Sequence, residues 1–123
     1  MNLNTARVFV RDLTEAMSFY RDRLGLELAA SSAGYGYCVF IAGPCQLVVE
    51  SVACDAPPEE QILVGRFTGL SFNVDNVHEK HRELVAAGVR FGGEPEKQLW
   101  GGILATFWDP AGNELQIVQQ PAA

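Results

Sequence analysis

Basic residues are scarce in this chain. Nine lysines and arginines face fifteen aspartates and glutamates, for a formal net charge of -6 and a pI near 4.8. No lysine/arginine cluster interrupts the acidity, which excludes phosphate-backbone binding and with it a nucleic-acid partner. An acidic surface suits a cationic ligand, and it is also ordinary for soluble proteins. Histidine is scarcer still, with two residues, His78 and His81. The three cysteines, Cys38, Cys45 and Cys54, show no CxxC spacing. That argues against a cysteine-built zinc site and for reduced thiols in a cytoplasmic protein. No apolar run approaches the ~18 residues of a membrane span. The opening "MNLNTARVFVRD" lacks the basic and apolar regions of a secretory signal.

What the chain does have is 48% hydrophobic residues over 123 positions, enough for one domain with a sizeable core. It also repeats itself. Asp12 and Gly25 lie thirteen residues apart, as do Asp75 and Gly88. Before each Asp runs an alternating apolar segment, "ARVFVRD" and "LSFNVD", and after each Gly the chain turns apolar again. The pattern is one supersecondary unit used twice.

In the first unit Ala6, Val8 and Val10 alternate with Thr5, Arg7 and Phe9, which is strand periodicity. Asp12 and Glu15 form a capping-box-like pair. Ala16, Phe19, Tyr20 and Leu24 then share one helix face, and Gly25 ends the helix in a left-handed conformation. Strands are expected at "LELAA", "YGYCVFIA" and "CQLVVESV", the last two joined by a turn at Gly43-Pro44. Pro57-Pro58-Glu59-Glu60 reads as a solvated linker. The second unit predicts a strand at "FTGLSFNV", a helix from about Asn76 to Ala87 with Val77, Leu84 and Ala87 inward, and strands near "VRFGG", "GILATFWD" and "ELQIVQ". The expected class is α+β, two βαβββ modules (about 3–52 and 66–119, linker about 53–65) in one domain spanning 1–123. His78 and His81 are three apart, not the four of HExxH, and are expected on a solvated helix surface, His78 on the polar face and His81 at the edge of the apolar stripe.

Three stretches, "VRDLTEAMSFYRDRLGLEL", "LSFNVDNVHEKHRELVAAGV" and "LWGGILATFWDPAGNELQIV", cover most of the chain. With the FY-x-x-x-LG and WG…DPxGN segments, they resemble the vicinal oxygen chelate superfamily, which includes glyoxalase I, bleomycin-resistance proteins and extradiol dioxygenases. The resemblance implies a sheet curved around a cup, and in metal-dependent members four ligands on the first and last strands of each unit. Carried over, those positions fall at Thr5, Glu50, Gly69 and Gln116. Gly69 has no side chain, Thr5 is a weak neutral donor, and no His lies on these strands. Two remaining donors fall short of the usual three or four.

The expectation is therefore no cofactor, and a small-molecule-binding protein that holds an antibiotic or aromatic metabolite in the cup. Homodimers are common in the family, so a homodimer is expected. The alternative is a metal-dependent lyase, isomerase or dioxygenase using Glu50 and Gln116. The cup is expected to be lined by Thr5, Arg7, Phe9, Glu50, Gly69, Ser71, Asn73, Trp100, Glu114 and Gln116. Arg7 would stand in for the missing metal charge, or else form a buried ion pair with Glu50. Tyr35, Tyr37, Phe40, Trp100 and Trp108 are candidate stacking surfaces, and Cys38 a small buried hydrophobe.

Overall fold

Strands β1 (Thr5–Val10), β2 (Glu27–Ser32), β3 (Tyr37–Ala42) and β4 (Cys45–Ser51) form a four-stranded sheet in the order β1-β4-β3-β2. Strands β5 (Phe67–Asn73), β6 (Arg90–Phe91), β7 (Glu96–Lys97), β8 (Ile103–Trp108) and β9 (Glu114–Gln119) form the second, in the order β5-β9-β8-β6 with β7 beside β8. The computed structural model describes residues 1–122. In each sheet the first and last strands run parallel and the rest antiparallel. The class is the expected α+β. Within one chain the sheets remain separate; a single bridge, Phe9 to Val64, attaches the linker to the edge of β1.

Helix α1 (Leu13–Ser18) starts where the sequence places it, because the Asp12 carboxylate accepts the Glu15 amide at 3.0 Å. It then departs from expectation. Phe19–Arg23 continues as a π-helical stretch, with the Leu24 amide bonded back to the Phe19 carbonyl. With that wider turn, the consecutive Phe19 and Tyr20 are both buried. Helix α3 (Val77–Ala86) is capped by Asn76 and buries Val77, His81 and Leu84. Two expectations fail here. Ala87 is exposed as the residue that ends the helix, and His81, expected in solvent, is buried edge-on against Phe91 at 4.5 Å. One helical turn behind Leu84, a histidine reaches the core as readily as an apolar residue when an aromatic edge receives it. The linker is solvated as read, yet it carries a helical turn, α2 (Pro58–Gln61). There the Gln61 amide donates to the carbonyls of Ala53, Cys54 and Ala56, while Arg11 donates to its oxygen.

One hydrophobic core spans both halves. Phe107 on β8 stands at its centre, with ring centroids 6.5 Å from Phe19, 6.4 Å from Phe72 and 5.6 Å from Phe91. The second joint is polar. In the turn 109–113 the Asp109 carboxylate accepts the Tyr20 hydroxyl at 2.7 Å, the amides of Ala111 and Asn113, and the Asn113 side-chain amide. Asn113 in turn donates to the Phe9 carbonyl and accepts the amides of Gly65 and Arg66. The segment reads as a turn and functions as the knot between the modules, since both side chains are almost wholly buried.

Burial, then the Asp109 carboxylate, pushes the Tyr20 hydroxyl well above its ordinary value, and burial pushes up the Cys38 thiol. Unfolded tyrosine ionises near pH 10 while folded Tyr20 stays neutral. The unfolded chain then binds fewer protons, so stability present below pH ~10 is lost as pH rises further. Urea midpoints measured from pH 8 to 11 should fall above pH ~10, and Tyr20→Phe should flatten that fall. An equal fall in the variant would assign it to other groups.

Candidate functional site

Each sheet turns one face to the core and the other away from it. On the first sheet the outward face carries Thr5, Arg7 and Phe9 from β1, with Gln46, Val48 and Glu50 from β4. Arg7 and Glu50 approach to 3.5 Å with side chains 53% and 40% exposed, so the pair is not the buried ion pair that sequence allowed. Its worth to folding is well under about 1 kcal/mol. Both charges are left open to an incoming group.

The parallel register sets the position of Glu50 relative to Thr5. The residue facing Thr5 on β4 is Gln46; Glu50 faces Phe9. Four residues of strand put Glu50 about 13 Å further along. Thr5 and Glu50 therefore cannot share one metal ion. Counting the register from the β3–β4 turn at Gly43-Pro44 would have found Gln46. Spacing from that turn, and not residue type, carries the signal.

The second outward face is built the same way. Gln116 on the central strand β9 lies between Ser71 on β5 and Thr106 on β8, and the Ser71 hydroxyl donates to its amide oxygen at 3.0 Å. Gln46 thus faces Thr5 on the first sheet, and Gln116 faces Ser71 on the second. Gly69 departs from simple alternation. The pairing of β5 with β9 slips between Phe67 and Ser71, and Gly69 sits in that irregularity at φ +73°. A histidine there would be strained in a left-handed backbone. Asn73 and Val118 continue this face, with Val118 largely covered.

A divalent metal would therefore meet at the four family positions a glycine without a side chain, a threonine hydroxyl donating to Asn4 at 2.8 Å, a glutamine already bonded to serine, and a distant glutamate. Those residues do not fit a first-row catalytic site. What they offer is neutral amides and hydroxyls beside one arginine and one carboxylate.

Aromatic residues flank the carboxylates. Glu50 lies between Phe9 and Tyr37, and Glu114 between Phe67 and Trp108. Phe40 instead belongs to the core, Tyr35 projects from the β2–β3 turn, and Trp100 is 54% exposed before β8. Cys38 is buried as read. A cavity of about 590 Å³ opens on the opposite side, between the core-facing surfaces of the two sheets, walled by Ala6, Leu24, Leu47, Leu70, Leu84 and Phe107. Of the ten expected cup residues, Ser71 and Asn73 border it and the other eight do not. No helix among the described residues is long and apolar enough to cross a membrane.

The family model described as Glyoxalase/Bleomycin resistance protein/Dioxygenase superfamily matches residues 2–117. A Bacillus subtilis (strain 168) protein, the uncharacterized YraH, is 27% identical, covering 95% of this chain and 97% of its own. Among solved structures, TnmS3, an antibiotic binding protein from Streptomyces sp. CB03234, superposes with a TM-score of 0.78 at 27% identity, covering 99% of this chain and 97% of that one. A lactoylglutathione lyase from Agrobacterium tumefaciens superposes equally well, TM-score 0.78, at 22% identity over 96% of this chain and 92% of that one.

Proposed function

Because the chain belongs to the glyoxalase/bleomycin resistance protein/dioxygenase superfamily, we propose that it is a metal-independent binding protein for a small organic molecule. The ligand rests on the outward polar faces of the sheets. One observation carries this reading: the inner strands β4 and β9 present neutral glutamines, Gln46 and Gln116, beside the hydroxyls of Thr5 and Ser71. Such groups orient a ligand by hydrogen bonds and leave an ion's charge uncompensated. The structural likeness to an antibiotic binding protein points the same way. Flanking aromatics beside Glu50 and Glu114 suit a planar, cationic molecule.

The site is completed by a second copy. β1 pairs with β4 alone and β5 with β9 alone, apart from the bridge at Phe9, so each sheet ends in an open strand edge beside its polar face. A homodimer that sets β1 of one copy against β5 of the other joins two half-cups into one. Light scattering on a size-exclusion column should give twice the chain mass at micromolar concentration.

The ligand reading is tested in two steps. After incubation with Ni, Co, Mn, Fe or Zn and desalting, elemental mass spectrometry should find well under one metal per chain. Near-stoichiometric metal, lost in Gln116→Ala, would refute metal independence and turn attention to lyase, isomerase and dioxygenase substrates. A thermal-shift screen of cationic and aromatic antibiotics should then raise the melting temperature. Arg7→Ala should weaken a carboxylate-bearing hit about tenfold while moving the unliganded melting temperature by less than about 2 °C. Unchanged affinity would remove Arg7 from the site.

A further inference from the structure

A second groove lies at the junction of the modules and meets the proposed cup only at Trp108. It encloses about 460 Å³ between α1 with its π-helical extension, the start of β6 and the end of β8. Arg23 and Arg90 line it, with Ser18, Phe19, Pro110 and the edge of Trp108. Of the chain's nine cationic side chains, Arg7, Arg21 and Lys80 form ion pairs with carboxylates. Among the described residues Arg11, Arg66, Arg82 and Lys97 do not, nor do Arg23 and Arg90.

Neutral groups hold both arginines in place instead. Arg23 donates to the Gly88 carbonyl at 3.0 Å, crossing from one module to the other. It reaches that carbonyl because position 88 lacks a side chain: a Cβ there would come within 2.7 Å of its guanidinium. Arg90 lies over the Trp108 ring at 5.0 Å. Gly92 leaves room for the edge of that ring, where a Cβ would meet it at 2.8 Å. A carbonyl and an indole fix orientation without cancelling charge. Two restrained guanidiniums at one groove of a protein with net charge -6 form a local reversal of sign. The Asp109 carboxylate also borders the groove, but its oxygens already accept four donors. The remaining carboxylate, Glu15, stands on the wall and pairs with neither arginine within 4.0 Å among the described residues.

We propose that this groove binds a small organic oxyanion, an aromatic carboxylate or phosphate monoester. The oxygens are held by Arg23 and Arg90, and the ring rests on Pro110 and the Trp108 indole. The volume exceeds that of an inorganic ion, and the apolar wall supplies the place for a ring. Glu15 opposes the charge and so limits affinity for simple anions.

The test uses phenyl phosphate, benzoate and neutral benzamide, followed by two-dimensional NMR on the whole chain, reading the Gly88 amide and the Trp108 indole N–H. Phenyl phosphate or benzoate should shift both signals in saturable fashion and benzamide neither; the tighter anion identifies the head group. Arg23→Gln and Arg90→Gln should each weaken binding about tenfold. Glu15→Gln should strengthen it about threefold, and Arg7→Gln should leave it unchanged. The opposite signs at Glu15 and the arginines cannot arise from lost folding, and matching spectra of the free variants confirm the fold. No saturable shift at 10 mM (about the weakest binding of interest), equal binding of benzamide, or binding abolished by Arg7→Gln alone would each overturn the proposal. The last result would move the anion to the cup.

Discussion

Asn113→Ala should lower folding stability by about 3–4 kcal/mol, a large part of what a domain of this size has. The side chain is fully buried and makes bonds in both directions. Its oxygen takes the amides of Gly65 and Arg66, where the second module begins, and its nitrogen gives to Phe9 at the end of β1 and to Asp109. Alanine leaves the Phe9 carbonyl and the Gly65 amide without those partners and opens a small void. Asn113→Asp is the sharper control, since it keeps the volume but sets a second carboxylate against Asp109 and removes both donors. It should cost at least as much. Urea unfolding decides, and a loss below about 1 kcal/mol for either variant would mean that the knot is dispensable.

Phe107→Ala should cost about 3–5 kcal/mol. The ring is wholly buried and touches Phe19 of the first module and Phe72 and Phe91 of the second. It also walls the apolar cavity, so its removal enlarges an existing void that neighbours cannot readily collapse to fill. Phe107→Leu should recover more than half of the loss. Denaturant curves followed separately by fluorescence and circular dichroism should coincide in the native chain. In Phe107→Ala they should separate, because this ring couples the halves. Coincident curves in the alanine variant would place the coupling elsewhere.

The sequence revealed most of what depends on neighbours along the chain. Alternation in "ARVFV", the Asp12 cap and the glycines at 25 and 88 gave two units of the right class, because each rests on contacts within a few residues. It was weaker where the deciding partner is remote. His81 is buried because Phe91 comes to meet it, Asp109 because Tyr20 reaches it from eighty-nine positions away. For the site, the outward faces followed from period-two patterning. The register did not, and register decides whether Thr5 faces Gln46 or Glu50. The slip at Gly69 was equally hidden, since a glycine in a strand pattern signals a bulge without saying which partner yields.

The linker has a further consequence, for proteolysis. Cys54, Asp55 and Pro57 through Glu60 are exposed, and by composition this is where a protease would be expected to nick the chain. A protease needs a segment of several residues to leave its own hydrogen bonds and lie extended in the cleft. Gln61 ties the carbonyls of Ala53, Cys54 and Ala56 to one side chain, and Arg11 holds that side chain from β1's end. Cleavage between the modules therefore follows the opening of a glutamine clamp rather than surface exposure.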